Sequence, residues 1–99
     1  MDEIGKAKYR PALVISNKEY NKNTNCCVFL TITSAKHSES WQDYTIQSYT
    51  GTNLQGECII RFKFFTLEQS ILKGKIGELN SIDRKEVIKT LDKIYTFSN

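Results

Sequence analysis

Few residues in this chain have the chemistry of a working site, and they are scattered. Arg10 stands before Pro11 at the head of an apolar run, and Thr33 and Ser34 close a second run. His37 follows in a Ser-rich stretch, and Arg61 and Lys63 fall late in another apolar segment. Cations and hydroxyls gathered at strand ends are suited to holding a phosphate and stabilising the charge that builds on it. Arginine is well matched to that role, because its planar fork of donors fits phosphate oxygens. A histidine side chain ordinarily titrates near neutral pH, which makes His37 a candidate general acid or base. The rings of Trp41, Tyr44, Phe62, Phe64 and Phe65 could stack on bases. Each residue also has an ordinary reading, as a strand-end polar group, a solvated histidine or a core ring. There is no Ser-His-acid motif and no glycine loop that would cradle a phosphate. Of the three cysteines, Cys26 and Cys27 are adjacent, and none forms a Cys-x-x-Cys pair. With a single histidine beside them, the expectation is small reduced thiols, with no metal and no cofactor.

The elements that must position these groups are legible in outline. Ninety-nine residues suffice for one domain, taken as 1–99, with a modest core. No apolar run is long enough to cross a membrane and no secretory leader opens the chain, so a cytoplasmic protein is expected. The net charge of +3 permits a nucleic-acid partner without requiring one. Met1 to Tyr9 is polar and reads as a loop. Ala12 to Ile15 is a short β-branched strand that opens at or just after Pro11. Asn17 to Asn25 reads as a polar connection, and Cys26 to Thr33 as a second strand. Trp41 to Ile46 and Glu57 to Phe62 read as the third and fourth. Lys63 to Thr66 either continues the fourth strand or bends away, Leu67 to Ser70 is a turn or short helical step, and Lys75 to Glu78 is a fifth strand. From about Ser81 to Tyr95 the period becomes helical, with Val87, Ile88, Leu91, Ile94 and Tyr95 on one stripe. Asn80 or Ser81 can cap that helix, and Asp83 favours its first turn. The pattern predicts a mainly β fold with a C-terminal helix: an antiparallel, partly closed small barrel. Three phenylalanines within four residues, Phe62, Phe64 and Phe65, predict exposed apolar surface and hence a dimer.

Three blocks of the sequence resemble the MazF/PemK/Kid toxins of toxin–antitoxin modules, closest to the PemK-like branch. They are Gly-Lys-Ala-Lys-Tyr-Arg-Pro-Ala-Leu-Val-Ile-Ser-Asn (5–17), Phe-Leu-Thr-Ile-Thr-Ser (29–34), and 63–79, which opens Lys-Phe-Phe-Thr-Leu and ends Lys-Ile-Gly-Glu-Leu. The resemblance implies a small SH3-like barrel of the MazF/PemK/CcdB type, a homodimer, and a cognate antitoxin whose flexible segment occupies the RNA groove. It implies metal-independent cleavage of single-stranded RNA, in which the ribose 2′-hydroxyl attacks the adjacent phosphate to leave a cyclic phosphate and a 5′-hydroxyl. By position, Arg10 matches the family's catalytic arginine, with charge stabilisation as its role. Thr33 matches the hydroxyl that bonds the scissile phosphate. Ser34, His37 and Lys63 are added as RNA-binding candidates.

Two departures shape the alternatives. The family pattern begins with a strand before the loop that leads to Arg-Pro, and this chain is expected to start within that loop, with the strand missing and a sheet edge bare. PemK-like members often carry an aspartate two residues after the arginine that here is Arg61, where this chain has Lys63. Those gaps keep open a non-catalytic binding protein of the same fold. A gyrase poison of the CcdB type, acting on DNA, is the third reading.

Overall fold

A computed structural model describes residues 1–5, 9–37 and 43–95. The strands are β1 (Asp2–Ile4), β2 (Arg10–Val14), β3 (Cys26–Ser34), β4 (Tyr44–Thr45), β5 (Cys58–Glu68) and β6 (Leu72–Lys75). Among the described residues two α-helices accompany them, α1 (Lys18–Thr24) and α2 (Ser81–Ile94). All six strands join one sheet in the order β4-β5-β3-β2-β1-β6, and every pairing is antiparallel. The expected mainly β fold with a C-terminal helix is the one observed.

The opening segment corrects the sequence reading. It is not all loop: Asp2–Ile4 pairs with β2 on one side and β6 on the other. Three residues suffice because both edges are hydrogen-bonded and Met1 is buried in the core. No two-residue alternation can announce so short a strand. The Asn17–Asn25 connection is likewise not a simple loop but holds α1. That helix has no apolar stripe, so periodicity is silent about it. Its ends define it: the Asn17 side chain accepts from Tyr20 N at 2.8 Å, and Asn25 closes it in the left-handed conformation at φ 57°. The fifth strand expected at Lys75–Glu78 lies earlier, at Leu72–Lys75. The fourth is longer than expected and runs through Glu68. In the described part of the expected third strand, 43–46, Tyr44–Thr45 is extended; Trp41 lies outside the described residues.

Both faces of β3 are covered. Leu30 and Ile32 join Cys58, Ile60, Ile46, Leu79 and Val87 in one core, while Cys27 and Phe29 join Ala12 in a second. The register between β3 and β5 slips between Leu30 and Thr31, leaving Phe62 and Lys63 outside the ladder. This two-faced arrangement houses the three phenylalanines. Phe62 and Phe64 pack on the first core and Phe65 on the second, where it stacks on Phe29 with ring centroids 5.6 Å apart. All three are half-buried within one copy, so they are not the exposed surface from which a dimer was expected.

The gap between β4 and β6 is bridged without strands. Glu78 N donates to Gly51 O at 3.0 Å, and Asn53 Nδ2 donates to Ile76 O at 2.6 Å. A Cβ on Gly77 would lie 2.5 Å from Thr52 O and 2.6 Å from Gly51 O, so this approach requires glycine. Asp83, fully buried in the first turn of α2, ties the helix to the sheet edge. Its carboxylate accepts from Tyr44 Oη at 2.5 Å, Gln47 N at 3.0 Å and Ser48 N at 2.9 Å. The role read from sequence, favouring the helix start, is therefore joined by a tertiary one. Asp83→Ala strands two backbone donors and a phenol, and should cost about 3 kcal/mol in a denaturant titration. Burial and then the bond to Asp83 raise the Tyr44 phenol above its ordinary pKa. Because the folded value lies above the unfolded one, its contribution is intact below about pH 10 and is lost as pH climbs further. Tyr44→Phe should remove that part of the alkaline fall in stability.

Candidate functional site

Antiparallel pairing decides which strand ends meet. β2 begins at Arg10, β3 ends at Ser34 and β5 begins at Cys58, so all three termini fall at one end of the sheet. In the β2–β3 ladder Ala12 faces Thr31. Continued two residues, that register places Arg10 opposite Thr33, with both side chains on one face. A depression of about 340 Å³ opens there, lined by Arg10, Pro11, Ile32, Thr33, Ser34, Gln55 and Cys58. Its size falls within the range of small-ligand sites.

The polar groups of this depression are available. Arg10 is exposed, and among the described residues no acid pairs with it; the ion pairs found are Arg61–Asp43, Lys75–Glu78 and Lys89–Glu86. Thr33 and Ser34 are half-buried, so their side chains keep some access to solvent. A guanidinium and two hydroxyls sharing one depression can bind an oxyanion and stabilise added charge on it. Pro11 presets the backbone just after Arg10. The Glu3–Pro11 and Ile4–Arg10 pairs brace the same strand start from β1.

The remaining candidates fall elsewhere. Lys63 lies in the irregular part of β5, is exposed, and its Nζ stands 6.0 Å from the centroid of Phe65; it does not line the depression. His37 closes a helical turn, Ala35–His37, directly after β3. Its backbone is therefore beside the same sheet end, while its side chain lies outside the described atoms. Arg61 is not a solitary cation: its Nε lies 3.6 Å from Asp43 Oδ1, whose side chain is 1% exposed. Sequence reasoning missed Asp43, because a single acid between two polar stretches carries no motif. Gln55 was missed for the same reason, and only the loop's path brings it to the site. Among the described residues no cluster of three or more His, Cys, Asp or Glu side chains could hold a metal ion, and no helix is long and apolar enough to cross a membrane.

Fold and site together describe a small β-sheet protein with a depression at one sheet end that carries an arginine and two hydroxyls. The family model for PemK-like, MazF-like toxins of type II toxin–antitoxin systems matches residues 2–95. The chain belongs to that toxin family, and membership implies a cognate antitoxin. No curated protein matches it significantly.

Burial pushes the Cys27 and Cys58 thiols up from their ordinary values, while Cys26 is half-buried. A thiolate-directed reagent at neutral pH should therefore modify Cys26 first. Cys27 and Cys58 should follow only at higher pH or on unfolding, as read by mass spectrometry of the labelled protein.

Proposed function

We propose that this toxin is a metal-independent endoribonuclease that cuts single-stranded RNA. The observation that carries the reading is the meeting of Arg10, Thr33 and Ser34 in one depression, with no acid paired to Arg10 among the described residues. In the proposed reaction the 2′-oxygen bonds to the adjacent phosphorus and the bond to the 5′-oxygen breaks. The 2′-hydroxyl loses its proton and the departing 5′-oxygen gains one. Arg10 neutralises the charge that grows on the non-bridging oxygens, and the Thr33 hydroxyl donates to one of them. Ser34 adds a second hydroxyl at the phosphate. His37, beside the same sheet end, is the candidate for proton transfer, and Lys63 for a contact to the RNA backbone farther along β5.

We assign the working form as a cytoplasmic homodimer silenced by its antitoxin. The exposed apolar side chains Ile82, Ile88 and Tyr95 on and just after α2, with Leu67 on β5, support a self-association surface. The opening strand is present, which removes one of the two motives for the non-catalytic reading; the other, Lys63 in the place of the family's aspartate, stands. The gyrase reading has no observation in its favour.

Purified protein should cut a long single-stranded RNA in the presence of a chelator, leaving cyclic-phosphate and 5′-hydroxyl ends. Arg10→Ala should lower the rate by about 10²–10³ with the thermal transition unchanged, the loss expected of a fixed transition-state donor. Thr33→Val should cost about tenfold. RNA that is bound but left intact by the wild-type protein would return the assignment to a binding protein.

A further inference from the structure

We infer that Gln55 is a base-reading residue, whose side-chain amide contacts the nucleotide next to the scissile phosphate. The inference rests on the ribonuclease reading above and names a specificity contact for that same site. Gln55 shares the depression with Arg10, Thr33 and Ser34. It is exposed, and among the described residues its side-chain amide has no hydrogen-bond partner. An amide offers an acceptor and two donors in one plane, the complement of the polar edge of a base. Arg10 and the hydroxyls supply what a phosphate needs, and phosphates are the same at every nucleotide. A group that tells one nucleotide from another must meet a base edge. Gln55 is the polar side chain of the depression that is not already assigned to the phosphate, and it presents an acceptor and two donors in one plane.

Reading a base demands a fixed reader, and the loop that carries Gln55 is held on three sides. On the helix side, Asp83 accepts from the backbone of Gln47 and Ser48. Toward β6, Gly51 O and the Asn53 side chain bond the backbone at Glu78 and Ile76. At the start of β5, Cys58 N donates to Tyr49 Oη at 2.8 Å. Inside the loop, the buried Thr52 hydroxyl donates to Tyr49 O at 2.8 Å and accepts from Leu54 N at 3.2 Å. Gly56, at φ +68°, then turns the chain from Gln55 into β5. The peptide preceding Gly56 is tied as well, since Cys58 Sγ lies 3.7 Å from Gln55 O. A flexible side chain thus stands on a backbone that does not need to be ordered by RNA, so binding cost is confined to its own rotamers.

The test compares wild-type and Gln55→Ala protein on a long single-stranded RNA, with cleavage ends mapped by sequencing. The expected result is a flattened base preference at one position beside the cut. The kcat/KM on the preferred sequence should fall about tenfold, the loss of one good base contact. On a short substrate lacking the base at that position, the two proteins should cut equally. Because Gln55 is exposed, the variant should keep the wild-type thermal transition. An unchanged cleavage profile, with the wild-type protein active, overturns the Gln55 assignment and leaves the ribonuclease reading standing. A wild-type protein that leaves RNA intact overturns both.

Discussion

The register between β2 and β3 is the constraint on which the rest depends. Ala12 opposite Thr31, Leu13 opposite Leu30 and Val14 opposite Phe29 alternate between the two cores. A slip by one residue would turn every one of these side chains to the wrong face. It would place Phe29 where Leu30 belongs and separate Arg10 from Thr33. Burial on both faces therefore enforces the same alignment that assembles the site. The apolar residues of these strands hold the position, and the polar residues at their ends inherit it. The register alone places the Arg10 backbone opposite Thr33.

The sheet end is completed by groups that stabilise one another rather than by strands. Asp83 is the firmest of them: a fully buried carboxylate is tolerable only because three donors surround it. That arrangement couples α2 to the chain after β4, and the same chain runs on through Thr52 to Gln55. The close pass between Gly77 and the Gly51–Thr52 backbone draws in the other side. The surface ion pairs contribute far less to this end of the molecule. Lys75–Glu78 and Lys89–Glu86 are exposed pairs, each worth little after solvent screening. Arg61–Asp43 is different in kind, because the acid is shielded from solvent. The chain thus commits Arg61 to a buried acid within the fold and leaves Arg10 to face solvent.

How much of this the sequence carried can be judged element by element. The β-branched run after Pro11 and the apolar run ending in Thr-Ile-Thr identified β2 and β3, because alternation and burial leave a compositional trace. The stripe from Val87 to Ile94 and the Asn80 cap, whose side chain accepts from Ile82 N, identified α2 for the same reason. Elements without an apolar pattern were invisible. β1 is three residues long and α1 is polar throughout, and each exists because of what flanks it. The extent of β5 was blurred because a register slip breaks its alternation at Phe62 and Lys63.

The sequence by itself determined the family, the mixture of short strands with one amphipathic helix, and Arg10 and Thr33 as the pair to watch. Those are local signals: a motif, a period, a cap. Only the tertiary structure decided that Arg10, Thr33 and Ser34 share one depression, that Lys63 stands apart from it, and that Gln55 joins it. It also decided that Phe62, Phe64 and Phe65 divide between two cores. The reason is physical. Which strand ends coincide depends on pairing between residues far apart in the chain, and which cations remain available depends on where acids such as Asp43 come to rest. Neither quantity has a trace in the order of neighbouring residues.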